Sequence, residues 1–178
     1  MSREWCFAEL TQEQAAKKGD LRMIALKIED LKTFTAQLFM GETFDYWLVR
    51  EANIVTFNSF TIDGRIRQGY YSDEELETNR IEEFSSWKTL RPFCYSLIRG
   101  RKLPESFQIT LQLSPEENEK FIRRVKPDLP ADQIAALYLN IRYENHAAAC
   151  VTGTSLKIFM LDKQIEQEWD ETVRRYFK

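Results

Sequence analysis

Two stretches of the chain alternate apolar and polar residues with the two-residue period of a β-strand. The first is Tyr46–Tyr71, YWLVREANIVTFNSFTIDGRIRQGYY, and the second is Leu137–Leu161. Strand side chains point alternately to opposite faces, so this period commits both stretches to a sheet with one covered and one wet face. In the first, Ile54, Phe60, Ile62 and Ile66 share one parity, while Thr61, Asp63, Arg65 and Arg67 take the other. Asp63-Gly64 predicts a two-residue hairpin turn, whose type I′ geometry needs positive φ at both central positions. Glu51-Ala52-Asn53 interrupts the apolar run 46–49 and predicts a second turn, giving a three-stranded antiparallel meander. In the second stretch Leu137, Leu139, Ile141 and Tyr143 alternate with Tyr138, Asn140 and Arg142. Glu144-Asn145 and Thr152-Gly153 there predict turns around strands 147–151 and 156–161.

Helical signals fill the intervals. Met23–Ile28 reads as a strand, and Asp30–Met40 as a helix with Leu31, Phe34, Leu38 and Phe39 on one side. Ser72-Asp73-Glu74-Glu75 is a capping box, opening a helix that carries Leu76, Ile81, Phe84 and Trp87. Pro92 removes a backbone donor, so a break is expected near Leu90–Arg91, with a second helical segment over 92–99. Phe107–Leu113 is a strand, and Ser114-Pro115-Glu116-Glu117 caps a helix bearing Phe121, Ile122 and Val125. The last helix, from Asp162, sets Ile165, Trp169, Val173 and Phe177 four residues apart. The order β-α-β-β-β-α then occurs twice. It predicts an α+β fold in one domain, 23–178, made of duplicated halves 23–102 and 103–178. The halves are expected to be related by a pseudo-twofold, with antiparallel sheets and packed helices. This element order resembles the repeated unit of DNA sliding-clamp domains, though no clamp motif accompanies it.

Composition narrows the class. Hydrophobic residues make up 43% of the 178 positions and aromatics 13%, which excludes disorder for most of the length. No apolar run approaches the ~18 residues that span a membrane. Charges inside MSREWCFAEL argue against a secretory signal. Cys6, Cys94 and Cys150 form neither a disulfide framework nor a metal motif, which points to the reducing cytoplasm. The balance of 25 basic and 28 acidic residues lacks the surplus usual in phosphate binders. Residues 1–22 are polar and lack a period. Lys18-Gly19-Asp20 can be encoded by a purine-rich ribosome-binding sequence just ahead of Met23, so 1–22 reads as an N-terminal extension created by a mis-assigned start, the alternative being a short helix over 11–18 packed on the domain.

The chemical inventory is thin. His146 is the one histidine, and every Ser-His or Cys-His mechanism would have to use it. Cys150 lies four residues further on, roughly 13 Å along an extended strand, too far for a hydrogen bond. Zinc ligands are too few, no phosphate-binding glycine loop is present, and no cofactor is expected. The acidic runs 73–77 and 166–171 read as solvated helix faces. Thr152-Gly153-Thr154-Ser155 offers hydroxyls at a turn but no helix dipole behind them. Two basic runs are the distinctive charge feature. Lys88–Lys102 holds Lys88, Arg91, Arg99, Arg101 and Lys102 with no acid, and Lys120–Lys126 holds Lys120, Arg123, Arg124 and Lys126. Joined with Arg65 and Arg67 they would make a positive face, with Arg91, Arg99, Arg101, Lys102, Arg123 and Arg124 as contacts to phosphate or nucleic acid. Both runs also sit toward helix C-termini, where the dipole favours cations without any ligand.

From Met23 onward, ETFDYWLV, TFNSFTIDGRI, SSWKTLRPFCYSLIRGRK, LQLSPE and TGTSLKIFMLDKQIEQEWDE carry a family likeness. The chain resembles a family of uncharacterised bacterial proteins, mainly of anaerobic Firmicutes, described only as a domain of unknown function. That resemblance implies no activity and no site residues. The residues themselves lead to a cytoplasmic protein that binds rather than catalyses, its partner another protein or a second copy, with no membrane. Nucleic-acid association through the basic face is the first alternative. An enzyme working through carboxylates or a cysteine is the second.

Overall fold

In a computed structural model of the chain, residues 25–78, 81–130, 133–157 and 163–177 are described. Six strands form one antiparallel sheet: β1 (Ala25–Ile28), β2 (Leu48–Val55), β3 (Ser59–Asp63), β4 (Ser106–Gln112), β5 (Ile134–Glu144) and β6 (Ala147–Leu156). Their order across the sheet is β1-β6-β5-β4-β2-β3. The described helices are α1 (Leu31–Phe39), α2 (Asp73–Thr78), α3 (Trp87–Ile98), α4 (Pro115–Val125) and α5 (Gln164–Tyr176), with a 3-10 turn at Gln68–Tyr70.

The period-two patterning decides which face is covered. Ala52, Ile54, Phe107, Ile109, Leu111, Leu139, Ile141, Tyr143, Ala148 and Cys150 are buried under the helices. Asn53, Gln108, Thr110, Asn140 and Arg142 occupy the opposite parity, in a half-exposed polar layer tied by bonds such as Thr110 Oγ1 to Asn140. The helical stripes behave as their spacing predicts. Phe34, Leu38 and Phe39 of α1 and Ile165, Trp169 and Val173 of α5 are buried, and Phe177 packs on Phe34. Trp47 lies between α5 and the loop 41–47, its ring 5.8 Å from those of Trp169 and Tyr176. Trp87 anchors α3 by donating its indole N–H to the Leu38 carbonyl, 2.7 Å away.

Several expectations are corrected. Glu51-Ala52-Asn53 is the middle of β2, and the apolar interruption there is a register shift between Val49 and Glu51. The β2–β3 turn falls at Thr56-Phe57-Asn58, ahead of Asp63-Gly64. Gly64 has no positive φ; it is small because a Cβ would lie 1.8 Å from the Val49 carbonyl oxygen. Positive φ occurs instead at Asn145 and His146, the tip of the β5–β6 hairpin. Thr152-Gly153 is no turn, since β6 runs through it with Gly153 opposite Tyr138. The helix opened by Ser72 is described over Asp73–Thr78 and does not reach Ile81, and Trp87 begins a separate helix capped by Ser86. Pro92 does not break that helix: it sits in the second turn, where it deprives only the exposed Lys88 carbonyl of a donor.

The duplicated pseudo-twofold also gives way. Among the described residues the first half runs β-α-β-β-α-α and the second β-α-β-β-α, each with three strands, and the halves are not equivalent in the sheet. β4, β5 and β6 are contiguous, whereas β1 stands at one edge and β2–β3 at the other. A twofold through the sheet centre would exchange β4 with β5, members of the same half. The expected extension 1–22 and the far end of strand 156–161 lie outside the described residues.

Candidate functional site

The basic runs do not converge. Glu105 N–H donates to Val55 O, placing Arg99, Arg101 and Lys102 near the β2–β3 turn end of the sheet. Arg65 and Arg67 follow the opposite end of β3, roughly 15–20 Å away by strand length. α4, with Arg123 and Arg124, leaves the sheet beyond Gln112, also away from the 99–102 loop. Several of these cations already face carboxylates. Arg65 pairs with Glu83 at 2.8 Å, Arg67 with Asp63 at 2.7 Å, Lys120 with Glu117 at 2.6 Å, and Arg123 with Glu119. Arg124 lies over the Phe121 ring. Arg91 is turned inward, 2.6 Å from Asp45, with side chains only 17% and 6% exposed. Removing one member of such a pair costs about 3–5 kcal/mol, so Arg91 ties loop 41–47 to α3. Arg99, Arg101 and Lys102 remain exposed. Lys102 borders an open depression of about 550 Å³ with Leu103, Pro104, Glu105, Tyr143, Asn145 and His146.

The nucleophile candidates are withdrawn from solvent. Cys94 and Cys150 are buried, and burial pushes both thiols up to about 12, leaving negligible thiolate at neutral pH. His146 is exposed at a turn, while Cys150 faces the core. The two therefore form no dyad. Cys6 lies outside the described residues. Among carboxylates, Asp170 is buried and accepts from Thr152 Oγ1, fastening α5 to β6. Burial raises its pKa, against the lowering effects of the Thr152 bond and of Arg174. No cluster of three or more His, Cys, Asp or Glu able to hold a metal occurs among the described residues.

What the structure does present is an edge. β3 ends the sheet, and no strand pairs with its outer side among the described residues. Gly64 N–H donates to the Arg50 carbonyl, fixing the alternation: even positions of β3 turn their backbone groups toward β2. Ser59, Thr61 and Asp63 turn theirs outward, and all three are exposed. Phe57, in the turn before β3, is 84% exposed. After β3, Asp63 stops the strand by accepting from Arg65 N–H and from Arg67. The chain then leaves the body. Ile66 N–H to Glu83 O and Ser85 N–H to Gly64 O pinch the neck of this excursion. Its helix α2 has a complete capping box, Ser72 and Glu75 bonding each other's backbone, yet buries nothing. Tyr70, 86% exposed, packs edge-on against Tyr71 beside the acids Asp73, Glu74, Glu75 and Glu77.

This edge is hidden in the sequence because Asp63-Gly64 carries the stronger turn signal, which merges β3 into its neighbour. The available signal was Phe57, an aromatic between two polar turn residues. Across known proteins, the model of a family of unknown function (DUF5721) matches residues 37–178. No curated protein and no solved structure matches the chain.

Proposed function

The chain belongs to DUF5721, a family of unknown function, and from that premise we propose that it is a non-catalytic module that binds another protein. The observation that carries this reading is the concentration of unsatisfied surface around β3. An unpaired strand edge lies between Phe57 and Tyr70, the two most exposed large apolar residues among those described. Soluble proteins usually blunt such edges, and exposed aromatics beside one mark a docking surface. The buried thiols supply the negative half of the argument. A photo-cross-linking amino acid at Phe57 or Tyr70, with exposed Lys163 as control, tests it in cells. Discrete protein adducts specific to the first two positions are expected; equal or absent labelling at all three defeats the reading.

One observation favours a second reading. Arg99, Arg101 and Lys102 are exposed and close in sequence, and Lys102 borders the His146 depression, an arrangement suited to phosphate. Nucleic-acid binding there would weaken steeply with salt in a gel shift and would be lost in an Arg99→Ala, Arg101→Ala, Lys102→Ala variant.

A further inference from the structure

We infer that the partner at the β3 edge is a second copy of this chain, joined through antiparallel β3–β3 pairing centred on Thr61. This rests on the protein-binding reading above and names its partner. The evidence is self-complementarity. With Thr61 on the dyad, Ser59 lies opposite the partner's Asp63 and Phe60 opposite the partner's Ile62. The outward-facing residues 59, 61 and 63 then fall opposite one another, and each of these pairs exchanges both backbone bonds. A register shifted by one residue would set outward groups against inward ones and lose the ladder.

The side chains agree with that register on both faces. Phe60 and Ile62 are half-buried at the rim of the covered layer, against Ile54 and Ala52. Their pairing with the partner's Ile62 and Phe60 continues the apolar layer across the dyad. On the wet face Thr61 meets the partner's Thr61, a favourable cross-strand pair. Asp63 meets Ser59, so no like charges are opposed. β3 itself carries no Lys, no Pro and no register shift, the devices that protect edges from such pairing.

Five-residue strands alone fall short of the roughly 1,200 Å² that a specific interface buries. The same register supplies more surface. It brings each Phe57 turn alongside the start of the partner's 66–83 excursion, beside the ion pair of the partner's Arg65. The most exposed apolar side chain of the turn thereby gains cover.

Sedimentation velocity on the full chain tests this. The wild type is expected at twice 21.1 kDa, and Thr61→Pro at 21.1 kDa. Thr61 N–H points away from β2, so proline removes a backbone bond of the dimer and no backbone bond within the subunit, where it costs only the exposed bond from Thr61 Oγ1 to Asn53 Oδ1. Circular dichroism verifies that the variant is folded. Should it unfold, Thr61→Lys, which opposes two cations on the dyad, takes its place with the same expected halving of mass. A monomeric wild type overturns the self-pairing, as does a folded variant that stays dimeric. In either case cross-links from Phe57 to a different protein would leave the binding reading standing.

Discussion

At the residue scale, the side chains that a functional search singles out mostly serve the fold. Arg91 illustrates this: composition places it in a basic run, but Asp45 already neutralises it in a nearly dry contact. Asp170 illustrates it with a measurable sign. Burial raises its pKa in the folded chain, so the native state holds that proton to higher pH than the unfolded state does. Just above the ordinary aspartate value, the native state therefore binds more protons, and stability from this group falls as pH rises. Asp170→Asn removes the titration while its side-chain carbonyl still accepts from Thr152 Oγ1. The variant should gain stability relative to wild type as pH is raised from the acid end toward neutrality, read from urea midpoints at each pH. A relative loss at neutral pH would show that Arg174 outweighs burial and reverse the sign.

At the element scale, the excursion 66–83 is the test of how stability is distributed. Isolated helices this short are marginal in water, and packing usually holds them; α2 has a cap and no packing. The neck is closed by backbone bonds between Gly64–Ile66 and Glu83–Ser85, which do not need the residues beyond. Replacing 68–81 by a short glycine linker should change unfolding free energy by about 1 kcal/mol or less, within the range of surface changes. It should also weaken any partner held at Tyr70. A loss of several kcal/mol in unfolding free energy from urea denaturation would show that the excursion packs on the body. Legibility in the sequence followed the same divide between packed and unpacked elements. α1, α4, α5 and the buried parity of β4 and β5 were readable because long apolar stripes admit one register. Ser114 and Ser72 were readable as caps because the bonds are local. The turn at 56–58, the end of α2 and the continuity of β2 were not. Each depends on a distant contact: Gly64 against Val49, Phe84 beneath the Arg50 guanidinium, and β2 wedged between β3 and β4.

At the scale of the whole molecule, the sheet order rather than the element order decides what can fold alone. Two halves that each open β-α-β-β-α look like independent units, but β1 reaches β6, its only partner among the described residues, through Ala25 opposite Val151. β2, for its part, is held on its inner side by β4, across seven matched positions from Leu48 to Val55. Cutting after Lys102 therefore leaves the first half with one hairpin and an orphan strand, too little for independent stability. The second half keeps β4–β6 and α5 but loses Phe34, Phe44 and Trp47, which cover Trp169 and Phe177. Fragment 23–102 should lack a cooperative unfolding transition. Fragment 103–178 should retain strand content by far-UV circular dichroism but bind a hydrophobic dye through its uncovered aromatics. Mixing the two should restore the near-UV spectrum of the intact chain, because the missing strands and the missing cover are each other's surfaces. A first half that folded cooperatively by itself would mean that the repeated succession of elements, and not the shared sheet, is the unit of folding.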